Sequence, residues 1–226
     1  MAPKRPAISA AVEDYVKAIY SLAEKGTGVA TTNALAERLR VTPGSASAMT
    51  KKLDGLGLVT HVPYRGARLT PSGLELALKV VRQHRLLELY LADTLGVPWD
   101  EVHDEADRLE HAVSDELAQA IAARLGHPTR DPHGDPIPAS DGQIDEQPTE
   151  SLSTLAVGTR GTFVRVSDSD PKMLRYLAKR GISPGDRLEV VEREPFGGPF
   201  VIRFGAALHA LGATLAGAMR VEVSEA

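Results

Sequence analysis

The sequence predicts a mainly α protein with small β parts: a winged helix-turn-helix, a helical middle domain and a small β-barrel-like domain. Three observations lead to this prediction. Apolar residues recur at helical spacing over most of residues 12–125. A stretch crowded with proline, glycine and aspartate interrupts that pattern at 127–150. Short β-like runs follow from residue 155 onward. We therefore expect three domains, over residues 1–74, 75–150 and 151–226.

The first 74 residues read as three helices and a hairpin. An amphipathic helix is predicted over residues 12–25, and Thr32 is expected to cap a second helix over 33–39. Thr42 then caps a third helix, which has Pro43 in its first turn and runs to about residue 56. Two short strands, 58–62 and 67–70, flank a turn rich in helix-breaking residues. Helix, helix, tight turn, helix and hairpin is the order of a winged helix-turn-helix.

The remaining two thirds read as long helices followed by strands. One helix is predicted from Pro71 to about Leu95, and another from about 100 to 125 with a possible restart near Ser114. The 127–150 stretch is predicted to be a loop and linker at a domain boundary. Beyond it we expect four strands, with a single helix over about 170–180 between the first two. Their predicted ranges are 161–166, 187–192, 200–204 and 219–223.

Charge is distributed unevenly along the chain, whose formal net charge is −4. Residues 1–74 hold 10 Lys/Arg and 5 Asp/Glu, whereas residues 75–150 hold 6 and 17. The middle third also contains five of the seven histidines. A basic end beside an acidic, histidine-rich centre indicates polyanion binding at one end and cation binding in the middle, unless the bias is chance surface composition.

Composition excludes several classes of protein. The chain has no cysteine, which rules out disulfides, thiolate metal sites and cysteine nucleophiles. The N-terminus lacks the apolar stretch of a signal peptide, and the most apolar window, 206–219, is too short to span a bilayer. We therefore expect a cytoplasmic protein with no membrane partner.

The third helix is the candidate DNA-recognition helix, because in this fold the second helix of the helix-turn-helix enters the major groove. Small hydroxyl residues near its start permit close approach to base edges, and two lysines further along suit phosphate contact. The alternative is that these side chains merely solvate an exposed helix. The candidates are Thr42, Ser45, Ser47, Met49, Lys51 and Lys52 on the helix, with Tyr64, Arg65 and Arg68 in the wing.

Histidines and carboxylates at helical spacing form the candidate metal ligands. Two histidines and two carboxylates fall on one face of the helix predicted after residue 100, and a His–Glu pair lies one turn apart on the helix before it. Asp14, beside Glu13, could complete the set from the first helix. The alternative is a solvated, salt-bridged surface. The stripe is His103, Asp107, Glu110 and His111, the pair is His84 and Glu88, and His61, His127 and His133 are interpreted as structural.

With these residues in view, the chain resembles the diphtheria-toxin-repressor family of iron- and manganese-dependent repressors over nearly its full length. The resemblance rests on the Glu-Asp-Tyr helix, the winged helix, and the segments at 82–88, 98–106 and 109–115, with the loop 131–138 and the segments 170–177 and 197–200. It implies a homodimer on a double-stranded operator, a helical dimerisation and metal-binding domain, and an SH3-like, FeoA-type third domain. The implied primary site is Asp14, Asp107, Glu110 and His111, and the implied ancillary site is His84, Glu88 and His103.

The family comparison also implies a metal. Iron-type members have methionine at the position of Asp14 and cysteine at that of Asp107, so two carboxylates here favour manganese(II), with iron(II) as the alternative. Short manganese regulators carry a second glutamate where this chain has Lys17, which cannot ligate a metal. A second ion would instead use the ancillary site, with Asp168 or Asp170 from the third domain.

Two other classes of protein compete with this interpretation. A metalloenzyme would need a general base apart from the ligands, and no HExxH motif is present; we expect no catalytic residues and no small-molecule substrate. A metal-independent DNA-binding protein would use the acidic centre only as a dimer surface. In the favoured hypothesis, metal held between Asp14 and the stripe restricts the mobility of the winged helices and fits the dimer to its operator.

Overall fold

The computed structural model describes residues 8–24, 28–62 and 65–224, and the chain divides into two compact units. Unit 1 comprises Met1–His84, Glu110–Val113 and Pro138–Gln143. Unit 2 comprises Arg85–Leu109, Ser114–Ile137 and Ile144–Ala226. The residues predicted to be a separate middle domain are therefore shared between the two units.

Unit 1 begins with three helices, α1 (Ala10–Glu24), α2 (Thr32–Arg38) and α3 (Pro43–Gly55). The predicted cap of α3 is confirmed, since the Thr42 hydroxyl accepts the N–H of Ser45 at 3.1 Å. The cap of α2 was predicted one residue too late. Thr31, not Thr32, has the extended backbone and accepts the N–H of Ala34, so it satisfies a donor of the first turn.

The hairpin consists of β1 (Val59–Val62) and β2 (Gly66–Leu69), paired antiparallel. Ala67 also bridges to Ala30, which ties the hairpin to the segment before α2. A side chain at Gly66, whose φ is +128°, would lie 2.0 Å from the carbonyl oxygen of Ala30, so this approach requires glycine. The predicted winged helix-turn-helix is thereby confirmed. Its interior is aliphatic and includes Val16, Ile19, Leu35, Leu53 and Val59.

The helices of the middle third differ from the prediction in one respect that matters for the site. The long helix α4 (Pro71–Leu95) ends where expected. The next helix, however, is interrupted: α5 (Val102–Leu109) passes into a 3₁₀ turn over Glu110–Ala112, and α6 (Asp115–Arg124) starts anew. Ser114 caps α6 by accepting the N–H of Leu117, which confirms the restart. The prediction that all four residues of the stripe lie on one α-helix is wrong, because Glu110 and His111 belong to the 3₁₀ turn that follows α5.

Within the predicted loop and linker, residues 131–135 form a tight turn that packs against the backbone of Val164. The carboxylate of Asp131 accepts the backbone N–H groups of His133 and Asp135 at 2.8 and 2.9 Å, which closes a tight turn. At Gly134, with φ +88°, a Cβ would lie 1.8 Å from the carbonyl oxygen of Val164. His133 is consequently held, fully buried, against the strand that follows.

The rest of unit 2 is built on a six-stranded antiparallel sheet and two helices. The elements are β3 (Glu150–Ser151), β4 (Arg160–Val166), α7 (Pro171–Ala178), β5 (Arg187–Arg193), β6 (Phe200–Phe204), β7 (Ala207–Leu211), α8 (Ala213–Ala218) and β8 (Met219–Val223). The strands lie in the order β3-β8-β4-β5-β6-β7 across the sheet. The four predicted strands and the helix α7 are present, but two strands and the helix α8 were missed. β3 has only two residues, and the short, alanine-containing segments of β7 and α8 fit helix and strand equally well, which explains these omissions.

The sheet encloses an apolar core of its own. Phe163, Leu177, Ile202 and Leu211 are among its fully buried side chains, and Trp99 packs against its edge. None of the helices in the described ranges combines the length and apolar character that crossing a membrane requires.

Candidate metal centres and nucleic-acid interface

Unit 1 contains a group of polar side chains that we call the first cluster: Asp14, Lys17, His84, Glu110 and His111. Asp14 and Lys17 project from α1, His84 from α4, and Glu110 and His111 from the 3₁₀ turn. One ligand atom each of Asp14, Glu110 and His111 lie within 4.8 Å of one another. The turn is held in place by Gln83, whose side-chain amide donates to the carbonyl of Val113 at 3.2 Å.

His111 lies between two carboxylates of α1. Its Nδ1 is 2.7 Å from Glu13 Oε2, and its Nε2 is 2.8 Å from Asp14 Oδ1. Burial lowers the pKa of His111, but the hydrogen bonds to Glu13 and Asp14 outweigh burial and raise it. Each ring nitrogen thus faces a carboxylate oxygen, an arrangement that favours the protonated ring. If Nε2 bound a metal instead, Glu13 would still hold Nδ1–H and orient the ring.

Glu110 is the buried carboxylate of the first cluster, with 2% of its surface exposed. Both of its oxygens are 2.8 Å from the Lys17 ammonium, and Oε2 is 2.6 Å from His84 Nδ1. Carboxylate oxygens together with an imidazole nitrogen are donors that suit a divalent first-row transition-metal ion. The donor set of Asp14, Glu110 and His111 therefore fits a metal ligand set.

Unit 2 contains a second group, here called the second cluster: Glu88, His103, Asp131, His133 and Asp168. His103 Nδ1 is 3.0 Å from Glu88 Oε1 and 3.1 Å from Asp168 Oδ2. Burial lowers the pKa of His103, yet the hydrogen bonds and charges of Asp168 and Glu88 raise it to about 11. For Asp168 the directions are reversed: burial raises the pKa, but the hydrogen bond and the charge of His103 outweigh burial and lower it to about 2. His103 is the counter-ion of this cluster.

His133 presents a buried nitrogen without a hydrogen-bond partner to the second cluster. Its Nε2 is 2.7 Å from the carbonyl oxygen of Trp99, so Nε2 carries the proton and Nδ1 the lone pair. Among the described residues, Nδ1 is one of two buried side-chain polar atoms lacking a hydrogen bond, and it lies 4.0 Å from Glu88 Oε2. A lone pair facing the carboxylates of Glu88 and Asp131 is an arrangement that a cation stabilises. The second cluster therefore also fits a metal ligand set.

The neighbouring acidic groups of the second cluster are balanced by arginine. Asp131 Oδ2 is 3.8 Å from Arg85 Nε, and Asp135 Oδ1 is 3.2 Å from Arg165 Nη1. Burial together with the charges of Glu88 and Asp135 raises the pKa of Asp131 well above its usual range, although Arg85 opposes the shift. Arg85 and Arg165 therefore offset part of the negative charge of the carboxyl groups beside the second cluster.

The structure brings some of the predicted ligands together within one unit, whereas others belong to different units. Asp14, Glu110 and His111 meet in unit 1, and Glu88 and His103 meet in unit 2. Asp107, half exposed, lies in unit 2 with Oδ2 3.7 Å from His103 Nε2, so its place beside Asp14 stays a prediction. His84 contacts Glu110, so its place with Glu88 and His103 likewise stays a prediction.

Two residues, Asp131 and His133, gained importance only from the structure. Sequence reasoning interpreted His133 as structural and gave no role to Asp131, although their spacing in Asp-Pro-His within a proline-rich loop is a signal that could have been weighed. It also left Asp168 and Asp170 as alternatives. Asp168 contacts His103, whereas Asp170 caps α7 by accepting the N–H of Lys172 at 2.9 Å.

The candidate nucleic-acid interface is the outer face of α3 with the hairpin. Ala46, Thr50 and Leu53 form the buried face of α3, which leaves Ser45, Lys51 and Lys52 exposed on its outer side. The Thr42 hydroxyl is engaged in capping and lies 2.9 Å from Ser45 Oγ. Thr42, Ser45, Lys51, Lys52, Arg65 and Arg68 are exposed, Ser47 and Met49 are half-buried, and Tyr64 lies outside the described residues.

Three family descriptions match successive parts of the chain. Residues 7–67 match the N-terminal DNA-binding domain of iron-dependent repressors, and residues 70–139 match their metal-binding and dimerisation domain. Residues 150–223 match the FeoA domain, which confirms the SH3-like, FeoA-type third domain. Together these matches span most of the sequence in the order that the resemblance implied.

Individual proteins support the same grouping. The diphtheria toxin repressor of Corynebacterium efficiens is 32% identical, covering 93% of this chain and 94% of its own length. The iron-dependent repressor IdeR of Mycobacterium leprae is also 32% identical, covering 93% and 96%. A solved structure described as a manganese-dependent transcriptional repressor in complex with manganese is 45% identical, covers 94% of this chain and all of its own, and has a TM-score of 0.88.

Proposed function

Because the chain belongs to the iron-dependent repressor family, we propose that it is a manganese(II)-responsive repressor that acts as a homodimer on operator DNA. Family membership makes the protein a metal-dependent transcriptional repressor and not an enzyme. The proposal concerns the metal, the residues that hold it, and the dimer. Iron(II) is the second candidate, since a relative at 32% identity is an iron-dependent repressor.

The observation that carries the choice of manganese is the donor set of the first cluster. Asp14, Glu110 and His111 offer only oxygen and imidazole nitrogen, and the chain contains no cysteine. Hard oxygen donors suit manganese(II), whereas sulfur ligands favour softer ions. The solved repressor with 45% identity, described as manganese-dependent, supports the same choice. Asp107 remains the proposed fourth ligand on the strength of the family resemblance.

The proposed ligands of the second cluster are Glu88, His103 and Asp168, together with His133. His133 Nδ1 is the stronger argument, because its lone pair is buried and faces a carboxylate. His103 would have to give up the proton that it shares with Glu88 and Asp168. Binding at this cluster would therefore release a proton. His84 remains the predicted further ligand from the family resemblance.

Activation can be understood from the elements that carry the ligands. A divalent ion supplies a positive charge that several carboxylates and an imidazole share. Asp14 lies on α1 of the winged-helix part, whereas Glu110 and His111 lie on the 3₁₀ turn. Shared ligation would fasten α1 to that turn and restrict motion of the DNA-binding helices. A difference of about 3 kcal/mol in metal binding between two conformations changes DNA affinity by roughly 150-fold.

The test is fluorescence anisotropy on a labelled duplex from the region upstream of the protein's own gene. Protein is titrated anaerobically in chelator, in manganese(II) and in iron(II). We expect binding only with metal, with manganese active at the lower free concentration, and loss of this response in Asp14→Ala. Activation at lower free iron than manganese would contradict the choice of metal, and equal binding in chelator would contradict metal control.

The DNA interface has its own test. Lys51→Ala should weaken binding about equally on all sequences and lower the slope of log affinity against log salt by about 0.9 for each phosphate contact removed. Lys172→Ala is the matched control, because this exposed lysine lies on α7 in unit 2. An unchanged salt dependence in Lys51→Ala would remove this residue from the interface.

A further inference from the structure

Lys17 is a cation placed directly on a proposed metal ligand. Its ammonium is 2.8 Å from each oxygen of Glu110, so it engages the carboxylate on both sides. Glu110 is 2% exposed, whereas 16% of the Lys17 side chain is exposed. A buried carboxylate must be compensated by positive charge, and Lys17 supplies it here.

The same ammonium also contacts a second potential ligand. It lies 3.2 Å from His84 Nδ1, which in turn is 2.6 Å from Glu110 Oε2. One ring nitrogen cannot both donate to Glu110 and accept from Lys17, so at most one of these contacts is a hydrogen bond at a time. Imidazole nitrogen and both carboxylate oxygens thus surround Lys17 Nζ, as ligands surround a cation.

A divalent ion and the ammonium would compete for Glu110. Metal–oxygen bonds are about 2.0–2.2 Å long, so an ion held by Glu110 would come within a few ångströms of Lys17 Nζ where it now lies. Like charges at that separation repel strongly where water is limited. Lys17 must therefore release at least one oxygen before Glu110 can ligate a metal.

We propose that Lys17 is a built-in competitor of the metal: it compensates Glu110 in the metal-free protein, raises the metal concentration needed to occupy the first cluster, and excludes a second ion from it. This role rests on the proposed function, because it assumes that Glu110 is a metal ligand. Lys17 thereby sets the metal concentration at which the first cluster becomes occupied, although Lys17 itself binds no metal.

The first experiment measures the Lys17–Glu110 pair without metal. Thermal unfolding is followed in chelator for wild type, Lys17→Met, Glu110→Gln and the double variant. We expect each single variant to unfold at lower temperature and the double variant to recover part of the loss, which is the signature of a coupled pair. Strictly additive losses would overturn the compensating role. Lys17→Gln, which keeps a donor without the charge, replaces Lys17→Met if that variant does not fold.

The second experiment measures manganese binding by calorimetry in a Glu88→Gln background, which weakens the second cluster. Lys17→Met should bind manganese at least roughly tenfold more tightly than the background protein, the factor expected from removing one repulsive charge. Lys17→Arg keeps the charge and should bind as the background does, as should the exposed control Lys172→Met. An unchanged affinity in Lys17→Met would overturn the competition.

Stoichiometry tests the exclusion of a second ion. In the same background Lys17→Glu should bind one more manganese per chain than Lys17→Arg, since it exchanges a repelling charge for a ligand. Equal stoichiometry in the two variants would overturn this part of the proposal. The proposed function and the role of Lys17 can be overturned separately. If the wild-type protein does not bind manganese, the proposed function is wrong. If the wild-type protein binds manganese and Lys17→Met does not change the affinity, only the role of Lys17 is wrong.

Discussion

The two clusters both place a buried glutamate against a positive group, but the positive groups are of different kinds. In the first cluster the lysine ammonium of Lys17 contacts both oxygens of Glu110. In the second cluster the imidazolium of His103 lies between Glu88 and Asp168. Lysine carries its charge over the whole physiological range of pH, whereas histidine can become neutral and bind a metal through the same nitrogen.

This difference indicates how each cluster exchanges its internal cation for a metal. The first must move a side chain, because Lys17 cannot become a ligand while it is charged. The second needs only to lose a proton, because His103 is both counter-ion and proposed ligand. His133 adds a lone pair that is already unprotonated at Nδ1. We therefore expect the two clusters to respond differently to mutation and to pH.

The largest expected effect is on the free energy of unfolding of the metal-free protein, when Glu110 and Glu88 are neutralised in separate variants. Glu110→Gln should lower the free energy of unfolding by about 3 kcal/mol, since it removes the negative charge that both oxygens of Glu110 present to the partly buried ammonium of Lys17. Glu88→Gln should cost less, because His103 retains Asp168 and can release its proton. Urea unfolding in chelator measures both values. Equal losses would remove the distinction between a permanent and a titratable counter-ion.

The pH dependence of metal-free stability sharpens the comparison. The pKa of His103 is raised to about 11 in the folded protein, so its stabilising contribution is complete below about 6.5 and declines as pH rises toward 11. The pKa of Asp168 is lowered to about 2, so its contribution is present above about 4 and declines as pH falls toward 2.

Unfolding of wild type and His103→Gln across this range measures the contribution directly. The difference in their free energies of unfolding should be largest between about pH 4 and 6.5 and shrink on either side. His127→Gln, at an exposed histidine in the same unit, is the control. A difference that does not change with pH would contradict the assignment of His103 as the counter-ion.

A smaller effect is expected for His133→Phe, which keeps an aromatic ring stacked on Trp99, whose centroid is 5.8 Å away. The substitution removes a buried nitrogen without a partner but also the donor to the Trp99 carbonyl, so metal-free stability should change by less than about 1 kcal/mol. Manganese binding at the second cluster should weaken by at least about tenfold. Unchanged stoichiometry and affinity in calorimetry would leave His133 as a structural residue.

The smallest effect on stability is expected for Asp107→Ala. Its side chain is half exposed and 3.7 Å from His103, so the change should stay within about 0.5 kcal/mol. If Asp107 is nevertheless the fourth ligand implied by the family, metal-dependent DNA binding should be lost while the fold persists. Anisotropy with and without manganese decides this, and unchanged activation would remove Asp107 from the ligand set.

The fold could largely be predicted from sequence because its signals are local. The Thr42-Pro43 cap, the restart at Ser114 and the order of helices before the hairpin each depend on a few neighbouring residues. The failures were also local in origin. Thr31 and Thr32 are both residue types that cap helices, and β7 and α8 are short segments whose sequences fit either helix or strand.

The sequence by itself determined the chemistry available to this protein. The absence of cysteine and the histidines and carboxylates of the middle third restricted the ligands to nitrogen and oxygen donors, and Asp14 favoured a hard ion. Residue types fix donor chemistry wherever the chain places them, so this conclusion needed no coordinates.

Only the tertiary structure decided which positive group faces which carboxylate. Lys17 and Glu110 are 93 residues apart in sequence, and His84 and Glu110 are 26 apart. The end of α5 at Leu109 and the packing of Gly134 against β4 decide where Glu110 and His133 point. Pairings of this kind depend on how distant segments pack, and the local patterns that specify helices and caps carry no information about them.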